Sequence, residues 1–102
     1  MNIKRKDNIV ARKIHGSIFL INIFDNYKGN KCAIYEINET GMFIWENIDK
    51  EKNISELAIL LRDEVDCAVE YQLIYDDVKE FIDTLVDRNF VEVMKHGWFF
   101  SW

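Results

Sequence analysis

Four side chains in this 102-residue chain stand out as candidate metal ligands or reactive groups, namely two cysteines and two histidines. Cys32 and Cys67 lie far apart, without a CxxC or a histidine-bearing motif beside them, so we expect free thiols in a reducing compartment. His15 and His96 each precede a glycine, a pattern typical of turns rather than of metal sites. Spacing does not exclude a Ser/His/Asp or Cys/His set, but there is no GxGxxG, GxxxxGK[ST], HExxH or GxSxG motif. We therefore predict a protein that is not an enzyme and holds no metal or cofactor.

Composition predicts a single globular domain covering residues 1–102. Hydrophobic residues make up 49% of the chain and charged residues 30%, without a low-complexity run, which argues against disorder. No apolar run approaches the ~20 residues that a membrane span requires, and the basic N-terminus is not followed by the apolar segment of a signal peptide. We expect a cytoplasmic protein with an N-terminal arm at residues 1–8 and an aromatic tail at residues 95–102.

Three β-rich runs open the domain, at residues 9–14, 17–24 and 32–37. The first two are separated by His15 and Gly16, which predicts a tight hairpin. A looser connection leads to the third run. We therefore predict a three-stranded antiparallel sheet in the N-terminal part of the chain.

Two helices are predicted next. Asn38 can cap a helix that runs to about Asn47 and that carries Gly41 in its first turn, where glycine costs about 1 kcal/mol relative to alanine. Asn53 and Glu56 have the spacing of a capping box, and an apolar stripe at helical spacing follows them. The predicted strand at residues 32–37 is therefore joined almost directly to the first helix, through Asn38.

The third helix has the clearest pattern. Apolar residues between positions 78 and 86 recur at helical spacing, and Asp76 and Asp77 favour a helix N-terminus just before them. Asn89 is predicted to end this helix in the left-handed conformation, and residues 90–94 are typical of a strand. This order of elements predicts an α+β domain of winged helix-turn-helix type with a C-terminal β segment.

Charge argues against binding to DNA, the usual function of winged-helix domains. From residue 54 onward the chain has eleven acidic residues against four basic ones, and most of the charged side chains on the third helix are acidic. A helix that enters a groove between phosphates should show the opposite balance. A transcription regulator remains an alternative, but the feature that would distinguish it, a basic third helix, is missing from the sequence.

Three segments together resemble the PqqD-like family. They are YEINETGMFIW at residues 35–45, NISELAILL at residues 53–61 and YDDVKEFIDTLVDRNFV at residues 75–91. Their order and spacing, more than any one of them, make the resemblance specific over about residues 9–93. Ile37 stands where leucine is commoner, and the tail extends beyond the usual end.

The resemblance implies a non-catalytic adaptor for ribosomally made, modified peptides. Such an adaptor binds the leader segment of a precursor peptide as an added strand, along the third strand and beside the third helix. It presents the precursor to a modifying enzyme such as a radical enzyme, a peptidase or a cyclase. The peptide-binding residues expected from this placement are Lys31, Cys32, Ala33, Ile34, Tyr35, Glu36, Ile37, Val78, Lys79, Ile82, Asp83 and Val86.

Alternatives remain for the function and for single residues. The chain could be a diverged catalytic or quinone-handling subunit, although no site supports this, or another protein-interaction module. Ile34 could contact a peptide or simply be an exposed aliphatic side chain. Val78 and Ile82 are expected to be mainly core, and the residues flanking them are better candidates for a groove rim: Lys79, Asp83 and Val86.

The tail carries four aromatic residues in its last five positions. We expect residues 98–102 to form a hairpin with residues 90–94. Large rings on one side of such a strand would need cover. The tail is therefore expected to cover an apolar surface of its own domain, the peptide groove included, or to join two copies as a homodimer.

Overall fold

A computed structural model describes residues 2–23, 34–65 and 68–94 of the chain. Within these ranges the strands are β1 (Asn2–Arg5), β2 (Ile9–Ile14), β3 (Ser17–Asn22), β4 (Ile34–Ile37), β5 (Lys52–Asn53) and β6 (Val91–Met94). The helices are α1 (Glu39–Glu46), α2 (Ile54–Val65) and α3 (Tyr71–Asp87). The strands form two antiparallel sheets with the orders β2-β3-β4 and β5-β1-β6. The predicted α+β class, with an N-terminal three-stranded sheet, three helices and a C-terminal strand, is confirmed.

The predicted β2-β3 hairpin forms through a two-residue turn. His15 and Gly16 have φ angles of 51° and 85°, and the flanking residues Ile14 and Ser17 pair directly. Two left-handed residues in succession are typical of a type I′ turn, whose twist matches that of the strands it joins. The hairpin is therefore determined by local chemistry.

The register of β3 against β4 separates two faces of the sheet. Ile18 pairs with Ile37, and both side chains are buried. On the opposite face Ile21 pairs with Ile34, and the Ile34 side chain is 45% exposed. Because side chains alternate along a strand, Tyr35 shares the inward face with Ile37.

Capping side chains determine where the first two helices begin, as predicted. The Gly41 N–H donates a hydrogen bond of 2.8 Å to Asn38 Oδ1 at the start of α1. Before α2, the Asn53 N–H donates to Glu56 Oε1 at 3.0 Å, and the Glu56 N–H donates back to Asn53 Oδ1 at 2.8 Å. This reciprocal pair is a capping box, and it satisfies two backbone donors at once.

The end of α3 was predicted correctly, but its start was not. Asn89 has a φ of 63°, and the N–H groups of Asn89 and Phe90 donate to the carbonyls of Val86 and Leu85. This pattern is a Schellman motif. The helix begins at Tyr71 rather than at the acidic pair near residue 76, because the buried stripe extends back to Ile74.

The N-terminal arm that was expected at residues 1–8 includes a strand. β1 lies between β5 and β6, and its Ile3 side chain is 0% exposed. Within the described residues β6 pairs with β1. The predicted hairpin partner at residues 98–102, like the rest of the aromatic tail, lies outside the described residues.

Both sheets and all three helices contribute to one apolar core. Among the described residues no polar or charged side chain is buried. The largest fully buried side chains are Phe90, Ile3, Leu20, Ile48, Leu57, Ile82, Leu85 and Val78. This core holds β4 in a defined position relative to α1 and α3.

Replacing Asn38 by alanine is expected to lower the free energy of unfolding by about 1 kcal/mol, because the Gly41 N–H would lose its capping acceptor. Urea denaturation followed by circular dichroism measures the loss. Asn38→Asp is the matched control, since an aspartate side chain can accept the same hydrogen bond. An equal loss in both variants would contradict a capping role.

Candidate functional site

One edge of the N-terminal sheet lies beside a helix. β4 is the last strand in the order β2-β3-β4, and among the described residues no further strand pairs with it. An edge strand presents unpaired backbone N–H and C=O groups that can pair with another chain. β4 therefore offers a template for an added strand.

A cavity of about 370 Å³ lies where β4, α1, α2 and α3 meet. Tyr35 lines it from β4, and Asn38, Thr40 and Gly41 line it from the start of α1. Its α3 wall consists of Asp77, Val78, Glu80, Phe81 and Thr84. We call the β4 edge together with this cavity the β4–α3 groove.

Gly41 makes the close packing beside the groove possible. A Cβ atom at this position would lie 3.2 Å from Ile37 Cβ and 3.2 Å from the Phe81 ring. Such distances are shorter than ordinary van der Waals contacts. The glycine that weakens the first turn of α1 therefore lets β4, α1 and α3 meet at one point.

Arg88 connects β4 with the end of α3. Its guanidinium carbon lies 4.3 Å from the centre of the Tyr35 ring, within the range of a cation–π contact. Arg88 is the C-cap residue of α3, about one turn beyond Thr84. The contact places a positive charge beside the groove at this end.

Within the described ranges, the charged side chains that line the cavity are acidic. Asp77 and Glu80 line the cavity. Lys79 donates a hydrogen bond of 2.8 Å to Asp83, and this contact raises the pKa of Lys79. Both residues of that pair are substantially exposed. Among the described residues, two carboxylates and several apolar side chains line the cavity, and the Arg88 guanidinium lies beside it.

The structure distributes the predicted site residues over several environments. Lys31, Cys32 and Ala33 lie outside the described residues. On β4, Ile34 and Glu36 are exposed and Tyr35 lines the cavity, whereas Ile37 is buried. Of the α3 residues, Val78 and Ile82 are fully buried, as the core interpretation expects, although Val78 also touches the cavity wall. The remaining three, Lys79, Asp83 and Val86, do not line the cavity.

Sequence reasoning missed the flank of α3 that faces β4. Asp77, Phe81, Thr84 and Arg88 follow one another at i, i+4, i+7 and i+11, which places them on one side of the buried stripe. Lys79 and Val86 lie on the other side. The helical spacing identifies both flanks but does not indicate which one faces the sheet. A peptide contact at any of these residues remains a prediction.

The described part of the chain shows neither a metal-binding cluster nor a membrane-spanning helix. No group of three or more His, Cys, Asp or Glu side chains there could hold a metal ion. Nor is any helix in those ranges long and apolar enough to cross a membrane. The expectation that the protein holds no metal or cofactor remains a prediction.

The sheet with its helix-lined edge is the arrangement expected from the PqqD-like resemblance. The sequence profile of "Coenzyme PQQ synthesis protein D (PqqD)" matches residues 28–91, more than half of the chain. The chain belongs to the PqqD family, and the predicted resemblance is confirmed.

Comparison with solved structures supports the same fold. The chain is similar to the structure described as "TbiB1 in Complex with the TbiA(beta) Leader Peptide", with a TM-score of 0.67 and 18% sequence identity. The similarity covers 90% of this chain and 98% of the other. None of the curated proteins matches this sequence.

Proposed function

We propose that the protein is a non-catalytic adaptor that binds the leader segment of a ribosomally made precursor peptide by strand addition to β4. The observation that carries this proposal is the position of the β4 edge beside a helix-lined cavity. Membership of the PqqD family and the similarity to a structure described as a leader-peptide complex support it.

Strand addition divides the recognition of a peptide between two sources. Backbone pairing with β4 supplies affinity that does not depend on the peptide sequence, and pockets for alternate side chains supply specificity. Side chains of the peptide that point inward meet the cavity wall formed by Phe81 and Thr84. Those that point outward lie beside Ile34 and Glu36, which are exposed on the outer face.

The groove has the properties of a binding surface. Its cavity volume of about 370 Å³ is within the range of ligand sites.

We propose that the captured precursor is presented in the cytoplasm to a separate modifying enzyme, such as a radical enzyme, a peptidase or a cyclase. Holding the precursor beside the enzyme raises its effective concentration without any chemistry by the adaptor.

The acidic surface of α3 disfavours the alternative of a transcription regulator. Asp76, Asp77, Glu80 and Asp87 are exposed on this helix. Carboxylates facing a phosphate backbone would repel it. A peptide carries no such uniform negative charge, so the same surface is compatible with peptide binding.

Ile34→Lys tests the proposal directly, because lysine on an edge strand disfavours pairing with another strand. We expect it to weaken the binding of a leader peptide roughly tenfold through the loss of a cross-strand apolar contact and the cost of the new charge. Synthetic copies of the N-terminal segments encoded by the short reading frames nearest to the gene serve as candidate leader peptides. Isothermal titration calorimetry measures the affinity.

Ile14→Lys is the matched control. Ile14 lies on β2, the opposite edge of the same sheet, and is 48% exposed, close to the 45% of Ile34. We expect it to leave the affinity unchanged, and circular dichroism should show that both variants are folded. Equal affinities for the two variants and the unchanged protein would exclude β4 as the binding edge.

A further inference from the structure

A second cleft adjoins the β4–α3 groove. It has a volume of about 320 Å³, lies between α1 and α2, and shares Thr40 and Leu61 with the cavity of the groove. The two hollows therefore meet at the first turn of α1. A peptide segment that continues beyond the groove at this end therefore lies next to the second cleft.

The second cleft has an apolar floor and an acidic rim. Met42, Phe43 and Val65 supply apolar surface, and the Val65 side chain is 54% exposed. The rim consists of three carboxylates, Glu39, Glu46 and Glu64. Lys13 lies 3.7 Å from Glu39, whose side chain is 81% exposed, so the pairing is loose. Such a cleft is complementary to an apolar side chain with a basic neighbour.

We infer that the α1–α2 cleft is a second subsite for the precursor peptide and takes an apolar side chain flanked by lysine or arginine. This inference rests on the proposed function. Its support is the shared wall at Thr40 and Leu61 together with the charge of the rim. The occupant is the part of the leader that precedes the segment paired with β4.

The direction follows from the chain path. β4 runs from Ile34 to Ile37 and continues through Asn38 into α1. The β2-β3-β4 sheet is antiparallel, and antiparallel pairing is slightly more stable per residue than parallel pairing. In a peptide that pairs antiparallel to β4, the N-terminal end of the paired segment lies beside Asn38. The peptide residues before that segment therefore lie near Thr40 and the second cleft.

Val65→Lys tests the subsite because it places on the apolar floor, at an exposed position, a charge that also repels a basic neighbour of the peptide side chain. Ile59→Lys is the matched control: Ile59 lies on the same helix and is 53% exposed, but it does not line the cleft. The probes are 25-residue peptides selected from a displayed random library against the full chain. Each selected peptide that binds the Ile34→Lys variant more weakly than the unchanged protein is synthesised in two forms. One form is the whole peptide, and the other lacks the residues before the segment that pairs with β4.

We expect Val65→Lys to weaken the binding of the whole peptides about tenfold, the effect of displacing one apolar side chain, and to leave the binding of the shortened peptides unchanged. Ile59→Lys should change neither. If Val65→Lys affects both forms equally or not at all, or if removing the opposite end of the peptide abolishes its effect, the second subsite is overturned while strand addition stands. If no selected peptide responds to Ile34→Lys, both the proposed function and this inference fail.

Discussion

Replacing Ile3 by alanine is expected to lower the free energy of unfolding by about 2–5 kcal/mol, the cost of removing a fully buried aliphatic side chain. Ile3 is 0% exposed and lies on β1, the central strand of the β5-β1-β6 sheet. It pairs with Lys52 on one side and Val93 on the other. Truncation of the Ile3 side chain would leave a cavity beneath β1, the strand that pairs with β6.

Lys4→Ala is the control on the same strand. Lys4 is not part of the buried core, so we expect a change of less than about 0.5 kcal/mol. Urea denaturation at constant pH gives both values. If Ile3→Ala is no more destabilising than Lys4→Ala, burial of Ile3 contributes nothing to stability, and residues 2–5 behave as part of the N-terminal arm that the sequence predicts at residues 1–8.

The contrast between β1 and the β2-β3 hairpin shows which kind of structure the sequence predicts well. His15 and Gly16 form their turn with immediate neighbours, and Asn53 and Glu56 cap a helix three residues apart. These interactions depend on short spacing. β1 is a four-residue segment, NIKR, with a single large apolar side chain, and its β6 partner lies almost 90 positions later. No local pattern indicates such a pairing.

The start of α3 was misplaced for a related reason. Glu70, its N-cap residue, makes no side-chain capping hydrogen bond, whereas the acidic pair at positions 76 and 77 is a typical helix-start signal. Burial of Ile74 against the core extends the helix beyond that signal. Tertiary packing thus determines this boundary, and propensity does not.

The candidate site was predictable in location but not in detail. The β4 edge and α3 were both expected, and β4 does lie beside the helix. Which flank of α3 faces β4 depends on how the helix crosses the sheet. Asp77 and Phe81 on one flank and Lys79 and Val86 on the other have equivalent spacings from the buried stripe. The sequence contains no signal that distinguishes the two.

Replacing Gly41 by valine is the second large change we expect, a loss of about 1–3 kcal/mol in the free energy of unfolding from overpacking. The new Cβ would lie 3.2 Å from Ile37 Cβ and from the Phe81 ring, and the two further methyl groups need additional space. Relief of the glycine penalty in a helix returns at most about 1 kcal/mol. The steric term therefore wins.

Gly41→Ala separates the two terms. It gains the backbone benefit and adds a Cβ alone, so we expect its stability to change by less than about 1 kcal/mol. Phe81→Leu should partly rescue Gly41→Val, because it removes the ring atoms that the new side chain meets. A double-mutant cycle from urea denaturation measures this coupling, for which we expect at least about 0.5 kcal/mol.

The same variants connect packing with peptide binding. If Gly41 lets β4, α1 and α3 approach closely, Gly41→Val must push Phe81 or β4 aside and change the shape of the groove. We expect Gly41→Val to weaken the binding of the leader peptide used to test Ile34→Lys roughly tenfold, which corresponds to about 1.4 kcal/mol of binding free energy. The double variant with Phe81→Leu should recover stability more than affinity, because Phe81 itself lines the cavity. Full stability and full affinity in Gly41→Val would show that the close approach at Gly41 has no role in holding the groove open.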